Sequence, residues 1–287
     1  MNRRSFVAAL GSVPLALLAV ACADSDGPAD TVPTTAPAST VAPTTLPPVS
    51  GIEHPMGADE VVLRLSWEGG FVPSEMLFMR LPRVLVAGDG SVYFQGAVLA
   101  IYPGPLLPPV LVGRITEAEI QELLVAARDA NLFRAVTYQQ PDNGVADAPN
   151  TLLVINANGE TYTHDAYALG IGGTETDPDR IVFQKFVELL EPLALGLPDS
   201  SSFAAERFAI RATTADNAPP TDGITPNEVA WPTGAGVSLA AASDCAVVEA
   251  SAIGSIFNEA TQITRFVDGG IKYVLLVRPL LPGDAGC

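Results

Sequence analysis

Two short glycine turns constrain the fold of this chain more than any other feature of its sequence. One turn is Gly88-Asp89-Gly90 and the other is Ala157-Asn158-Gly159. Each lies between two runs rich in β-branched or aromatic residues, residues 83–87 and 91–95 around the first and residues 151–156 and 160–167 around the second. Glycine and asparagine tolerate the positive φ angles that tight hairpin turns need. The sequence therefore predicts two β-hairpins.

A helix with a clear start is predicted between these hairpins. Thr116 and Glu119 have the spacing of a capping box, and Ile115 and Ile120 stand where a hydrophobic staple would lie. We therefore expect a helix that starts at Glu117. Its apolar residues recur at helical spacing and form one stripe that can pack on a sheet: Ile120, Leu123, Leu124 and Ala127.

A second capped helix is predicted after the second hairpin. Asp177 is a good N-cap and Pro178 suits the first helical position. We expect the helix to end at Pro192, because proline breaks the backbone hydrogen bonding of a helix. The expected inner face consists of Ile181, Val182, Phe186 and Leu189.

The remaining elements complete an α+β pattern. Strand-like runs occur at residues 60–67, 74–80, 206–212 and 271–278, and a helical pattern runs from about Asp244 to Thr261. Strands paired with hairpin neighbours, with helices on one face, predict an α+β fold with antiparallel sheets. Residues 59–200 are expected to form one α+β domain. Residues 203–287 form either a smaller α+β domain or an extension of the first.

The N-terminus has the features of an export and lipidation signal. Arg3-Arg4 resembles a twin-arginine motif, and Leu18–Cys22 resembles the lipobox of bacterial lipoproteins. The apolar run Phe6–Val20 is shorter than the roughly 20 residues that a membrane-spanning helix needs. We expect residues 1–21 to be a signal peptide and Cys22 to carry the lipid, including palmitate. Signal cleavage without lipidation is the alternative.

Residues 22–58 are predicted to be a disordered stalk behind the lipidated Cys22. Residues 23–50 consist mainly of Pro, Thr, Ala and Ser and contain no aromatic residue. Such a segment cannot bury enough apolar surface to order itself, and its prolines favour an extended chain. His54, near the end of the stalk, is expected to be solvated. The protein is thus predicted to lie on the outer face of the cytoplasmic membrane.

The charge of the chain excludes some partners. The whole sequence has a formal net charge of −17, and without residues 1–21 it has 13 basic and 32 acidic residues. Nucleic acid binding needs clustered Lys and Arg, so we expect no nucleic acid partner. An anionic membrane surface would repel this head, so the lipid alone has to supply the membrane attachment.

The cysteines predict one disulfide. With Cys22 as the lipid acceptor, Cys245 and Cys287 remain as a pair, and an even pair outside the cytoplasm favours a disulfide. Zinc is the rival explanation. It is disfavoured because no C-x-x-C or H-x-x-x-H spacing occurs.

Two oxygen-rich or glycine-rich loops are candidate ligand sites. Gly170–Gly173 lies between a strand and a helix, but Glu175 occupies the position of the third glycine in a dinucleotide motif, so a plain connecting loop is favoured. Two sets of residues suit calcium, although turn formation and helix capping also explain them: Asp142, Asn143, Asp147 and Asn150, and Glu175, Asp177 and Asp179. No cofactor is predicted.

Catalytic residues are not recognisable. His164 and Asp165 are neighbours on a predicted strand, so their side chains should point to opposite faces and form no dyad. The segment Gly236–Ala240 fails the G-x-S-x-G motif at its last residue. Carboxylates are abundant, but the sequence does not show which two would form a catalytic pair. We therefore predict no catalytic site, while an enzyme that uses carboxylates stays open.

The export signal, lipobox, Thr/Pro stalk and α+β head together resemble the uncharacterised secreted lipoproteins of high-GC bacteria. The segment from Gly88 to Leu169 is similar to small exported domains with a capped helix between two hairpins. The resemblance implies location and no activity. Our leading hypothesis is a lipid-anchored, non-catalytic binding protein with an envelope protein, wall polymer or small ligand as partner. The alternatives are a carboxylate-dependent cell-wall or glycan hydrolase and a solute-binding lipoprotein.

Overall fold

A computed structural model describes residues 51–141, 144–173, 175–218, 221 and 223–287, which belong to one compact unit. The strands are β1 (Val61–Gly69), β2 (Val84–Ala87), β3 (Ser91–Gln95), β4 (Val110–Arg114), β5 (Pro149–Ala157), β6 (Glu160–Tyr167), β7 (Ser201–Ser202), β8 (Arg207–Thr214), β9 (Glu228–Ala230), β10 (Ala246–Glu249), β11 (Arg265–Asp268) and β12 (Ile271–Pro279). The α-helices are α1 (Ser74–Phe78), α2 (Glu117–Asp129), α3 (Pro178–Leu195), α4 (Ala250–Ile253) and α5 (Ile256–Glu259).

The first sheet has seven strands in the order β6-β5-β1-β2-β3-β4-β7. All its neighbouring strands are antiparallel. Both predicted hairpins are present, β2–β3 around the Gly88–Gly90 turn and β5–β6 around Asn158-Gly159. Asn158 and Gly159 have φ angles of 54° and 73°, as a tight turn requires. The predicted α+β class with antiparallel sheets is confirmed.

The helices α2 and α3 pack on one face of this sheet. The predicted capping box is present, because the Thr116 side chain accepts from the Glu119 N–H and the Glu119 carboxylate accepts from the Thr116 N–H. Ile120 and Leu124 of α2 join the same core cluster as Phe183 of α3. Burying these apolar side chains supplies the main favourable free energy for this layer.

Two details of α3 differ from the prediction. The helix continues past Pro192 to Leu195. Proline has no N–H, so the Glu188 carbonyl four residues earlier lacks its usual helical hydrogen bond. Pro192 and Glu188 are both exposed, so water can hydrate this carbonyl. The buried face is also rotated from the predicted one, since Leu189 is 49% exposed. The buried residues of α3 are Arg180, Phe183, Phe186, Leu190 and Ala194.

Residues 74–80 were predicted as a strand, and this prediction is wrong. Ser74–Phe78 form the short helix α1, none of whose residues is buried. Pro73 precedes the helix with φ −53°, and Glu75 lies in the first turn, where a carboxylate favours the exposed N–H groups.

The second sheet has the order β10-β8-β12-β11-β9. Its strands are antiparallel except for the pair β9 and β11. One face of the sheet belongs to a second core cluster that includes Phe257, Phe266 and Trp231. The predicted helix from Asp244 to Thr261 is wrong in its first part, because Val247 and Val248 pair with β8 as strand β10. Gly254, with φ 60°, then separates α4 from α5.

The tail after β12 joins the two parts of the unit. Leu281 is 4% exposed and packs in a third cluster with Leu85, Ala87 and Tyr93 on the back of the first sheet. Phe203 contacts Tyr93 edge to face with ring centroids 5.1 Å apart. Strands β2 and β3 are therefore buried on both faces, by α2 and α3 on one side and by this cluster on the other.

Residues 51–56 lie against α2. Ile52 exchanges two hydrogen bonds with the Gln121 side chain, at 2.8 and 2.9 Å. His54 was expected to be solvated, which is wrong: it is 8% exposed, with Nε2 3.0 Å from Glu117 Oε1 and Nδ1 2.7 Å from the Pro55 carbonyl oxygen. A polar side chain reaches this burial because the helix start offers it a carboxylate partner.

Candidate functional site

The candidate site is a cavity of about 360 Å³ lined by four arginines, which we call the arginine cavity. The arginines are Arg64, Arg80, Arg211 and Arg278. Two carboxylate side chains, one apolar wall, the Cys245–Cys287 pair and one glycine complete the lining: Glu68, Asp284, Leu77, Phe78, Cys245, Cys287 and Gly286. A volume of this size lies at the lower end of the range for small-molecule sites.

Strand geometry places the arginines. Arg64 and Glu68 are four residues apart on β1, so both side chains leave the same face of the strand. On the second sheet Arg211 stands opposite Leu276, two residues before Arg278. Residues opposite each other in an antiparallel pair share a face, as do residues two apart. Arg211 and Arg278 are therefore diagonal neighbours on one face of β8 and β12.

Asp284 accepts hydrogen bonds from two of the four arginines. Its Oδ1 accepts from Arg64 Nη1 at 2.7 Å, and its Oδ2 accepts from Arg278 Nη1 at 3.0 Å. The Leu281 N–H also donates to Oδ2, and the Asp284 side chain is only 6% exposed. One carboxylate thus fixes two guanidinium groups and compensates one of their two charges.

Arg80 and Arg211 are fixed by neutral groups. Arg80 Nη1 donates to the carbonyl oxygens of Trp67 and Gly69 at 3.0 and 2.9 Å. Arg211 Nε donates to the Asp244 carbonyl oxygen at 2.7 Å, and its Cζ lies 4.7 Å from the centre of the Phe78 ring. Within the described residues neither arginine has a carboxylate within ion-pair distance.

The predicted disulfide forms one wall of the cavity. Cys245 and Cys287 are at bonding distance, with Cα atoms 5.7 Å apart, and this prediction is confirmed. The bond connects the start of β10 to the tail that carries Asp284. Cys22, the predicted lipid acceptor, lies outside the described residues.

His164 is a core residue. It is fully buried, its Nε2 lies 2.8 Å from the Leu132 carbonyl oxygen, and its Nδ1 lies 2.8 Å from the Tyr138 hydroxyl. A carbonyl oxygen only accepts, so in the neutral ring Nε2 carries the proton and Nδ1 accepts from Tyr138. Asp165 is exposed and accepts from the Asn150 amide. The two neighbours do not form a dyad, as predicted.

Protonation of His164 should destabilise the fold. Burial lowers its pKa in the folded protein, whereas the unfolded chain keeps the ordinary pKa near 6.5. As pH falls below that ordinary value the unfolded state binds more protons, so the free energy of unfolding decreases, by up to about 1.4 kcal/mol per pH unit. Urea unfolding at about pH 7.5 and about pH 5.5 measures this loss. His164→Gln, which can keep both hydrogen bonds, should flatten the profile. An unchanged profile in the variant would assign the loss to other groups.

The glycine loop Gly170–Gly173 binds a carboxylate of its own chain. Glu175 Oε1 accepts from the Gly170 N–H at 2.8 Å, and the same carboxylate pairs with Arg180. The Arg180 hydrogen bond lowers the pKa of Glu175 and keeps it charged. The plain connecting-loop interpretation therefore has a physical basis.

Two of the remaining calcium candidates also have structural partners. Asp177 caps α3 by accepting from the Arg180 N–H, and Asp179 pairs with Arg134 at 2.6 Å. Asp142 and Asn143 lie outside the described residues. Among the residues that the structure describes, no group of three His, Cys, Asp or Glu side chains is arranged to hold a metal ion.

Ser238, in the segment compared with the nucleophile motif, caps a short 3-10 helix, Leu239–Ala242. Its Oγ accepts from the Ala241 N–H at 3.4 Å.

None of the helices in the described residues has the length and hydropathy needed to cross a bilayer. Comparison of the chain with models of known protein families, with curated proteins and with solved structures gave no match.

Proposed function

We propose that this protein is a lipid-anchored envelope protein whose head binds a ligand in the arginine cavity without catalysing a reaction. The observation that carries the proposal is the cavity itself. In a chain with 15 basic and 32 acidic residues, four arginines meet around one concave site, and all four are held in place by hydrogen bonds. Fixed donors lower the entropy lost on binding.

The contacts of the candidate catalytic groups also support a binding role. His164 is committed to the core through Tyr138 and Leu132. Of the two carboxylate side chains that line the cavity, Asp284 accepts from two guanidinium groups, one on each oxygen, so both of its oxygens are already engaged. Glu68 therefore has no second carboxylate side chain in the lining that is free of guanidinium partners and could form a catalytic pair with it.

The anchoring part of the proposal rests on the sequence of residues 1–22, with the twin-arginine motif and the lipobox that ends at Cys22. Cys22→Ser is expected to release the protein from the membrane fraction or to leave it unprocessed. Acyl chains contribute about 0.8 kcal/mol per buried methylene, and the acidic head offers an anionic bilayer no electrostatic attraction. Fractionation of cells that produce the wild type or the variant measures this, with Cys245→Ser as a cysteine control. Equal membrane retention of Cys22→Ser would contradict lipid anchoring.

The non-catalytic part of the proposal is tested separately by a substrate screen. Purified protein should release no product from glycan and ester substrates. Reproducible hydrolysis that Glu68→Gln abolishes would overturn the non-catalytic proposal in favour of a carboxylate-dependent hydrolase.

A further inference from the structure

We infer that the arginine cavity binds an oxyanion, a phosphate or carboxylate group carried by a small organic molecule. This inference rests on the proposed function and names the class of ligand for the same site. It begins from the charges: four guanidinium side chains and two carboxylate side chains line the cavity. In a chain with a net charge of −17, such a local excess of positive charge is opposite to the rest of the molecule.

The second step is the availability of donors. Arg80 uses Nη1 for its two carbonyl partners, and Arg211 uses Nε for its single one. Within the described residues, Nη2 of Arg80 and both terminal nitrogens of Arg211 have no hydrogen-bond acceptor. A guanidinium presents these donors in a rigid plane that matches the oxygens of phosphate or carboxylate, frequently with two parallel bonds.

The third step is the organic part of the ligand. Leu77 and Phe78 of α1 line the same cavity, and Phe78 lies beneath the Arg211 guanidinium. Leu77 is 40% exposed, so apolar surface faces the opening. Covering this surface is favourable for a ligand that joins an anionic group to an apolar or aromatic one. A bare ion would leave most of the about 360 Å³ to water.

The chain supplies a matched control for Arg211. Arg207 lies four residues earlier on the same strand, also has no carboxylate partner in the described part of the chain, and does not line the cavity. At about 3.3 Å per residue the two positions are roughly 13 Å apart. Arg207→Gln therefore removes the same charge from the same strand without removing a donor from the site.

Calorimetric titration of the purified full-length protein tests the inference, with inorganic phosphate, phenyl phosphate and benzoate as probes and chloride at equal ionic strength as reference. We expect saturable binding at one site, with phenyl phosphate or benzoate binding more tightly than inorganic phosphate. Arg211→Gln and Arg80→Gln should each weaken binding by about tenfold or more, and Arg207→Gln by less than about twofold. The tighter of the two organic probes identifies phosphate or carboxylate as the preferred group.

Three results would overturn the inference. They are no saturable binding of any probe up to about 10 mM, binding that matches the chloride reference, and binding unchanged in both cavity variants. Melting curves without ligand show whether each variant is folded. Arg211→Gln and Arg80→Gln change different residues, so one can be tested if the other does not fold. Failure of anion binding would not change the result of membrane fractionation, and membrane retention of Cys22→Ser, which would contradict lipid anchoring, would not change anion binding, so the two proposals fail separately.

Discussion

Replacing Arg180 with methionine should destabilise the protein by about 3–5 kcal/mol, because it removes one partner of a buried ion pair. The side chains of Arg180 and Glu175 are only 2% and 9% exposed. Arg180 Nε and Nη2 donate to the two oxygens of Glu175 at 2.6 and 2.8 Å. The same guanidinium also donates to the carbonyl oxygens of Gln139, Tyr167 and Ala168. Methionine fills a similar volume but removes the donors that Arg180 supplies to a buried carboxylate and three carbonyl groups, and it leaves the Glu175 charge without its cationic partner.

Urea unfolding measures this loss, and Arg134→Met is the matched control. Arg134 pairs with Asp179 in the first turn of the same helix α3, but the two side chains are 39% and 51% exposed. An exposed pair contributes about 1 kcal/mol or less. In the double variant Arg180→Met/Glu175→Gln the destabilisation should be smaller than the sum of the two single effects, since the unpaired charge is gone. Equal effects of Arg180→Met and Arg134→Met would contradict the importance assigned to the buried pair.

The double variant Cys245→Ser/Cys287→Ser should lose about 4 kcal/mol of stability. The bond closes a loop with a sequence separation of 42 residues, and the chain-entropy model gives roughly that value for the denatured state. For a domain of this size the loss corresponds to a fall in Tm of about 8–16 °C. The variant should still fold, because neither cysteine belongs to the core that packs beneath α2 and α3.

Melting of the variant beside oxidised and reduced wild type distinguishes the outcomes. Reduced wild type should melt with the variant, well below the oxidised protein. An unchanged Tm on reduction would show that the bond does not stabilise the purified protein. Complete unfolding on reduction would show that the bond is required for the fold and does more than reinforce it.

The correct sequence predictions depended on local signals. The glycine turns, the capping box at Thr116 and the Asp177 cap each act within a few residues, so their chemistry is visible along the chain. The two hairpins and both long helices were therefore predicted. The end of α3 was missed because the cost of Pro192 depends on the exposure of Glu188, which is a property of the folded state.

Other errors arose where distant partners decide the structure. Val247 and Val248 fit an apolar helical pattern, but pairing with β8 makes them a strand. The short strands β9 and β11 form a parallel pair that no turn signal marks. Propensity is overridden at such places by pairing and burial, which a single sequence does not display.

The arginine cavity shows the same limit at the level of the site. Its arginines come from β1, the segment after α1, β8 and β12, and no spacing connects positions 64, 80, 211 and 278. Pairing of β8 with β12 places Arg211 near Arg278, and Asp284 of the tail connects Arg278 to Arg64 on the other sheet. The scarcity of basic residues in the chain gave the only available signal, and it identifies no particular arginine. The disulfide, in contrast, was predicted without any knowledge of the geometry. The chain has three cysteines, and assigning Cys22 to the lipid leaves Cys245 and Cys287 as the pair.

The tail also sets the order in which the protein can finish folding during synthesis. Strand β1 emerges early, yet its Arg64 pairs with Asp284, 220 residues later, and Leu281 covers Leu85 and Ala87 on the back of the first sheet. A nascent chain that lacks residues 281–284 leaves this apolar surface open to water and to other chains. The head therefore reaches its final packing only after translation of nearly the whole sequence, and until then the back of β2 and β3 is the apolar surface on which a holding chaperone would act.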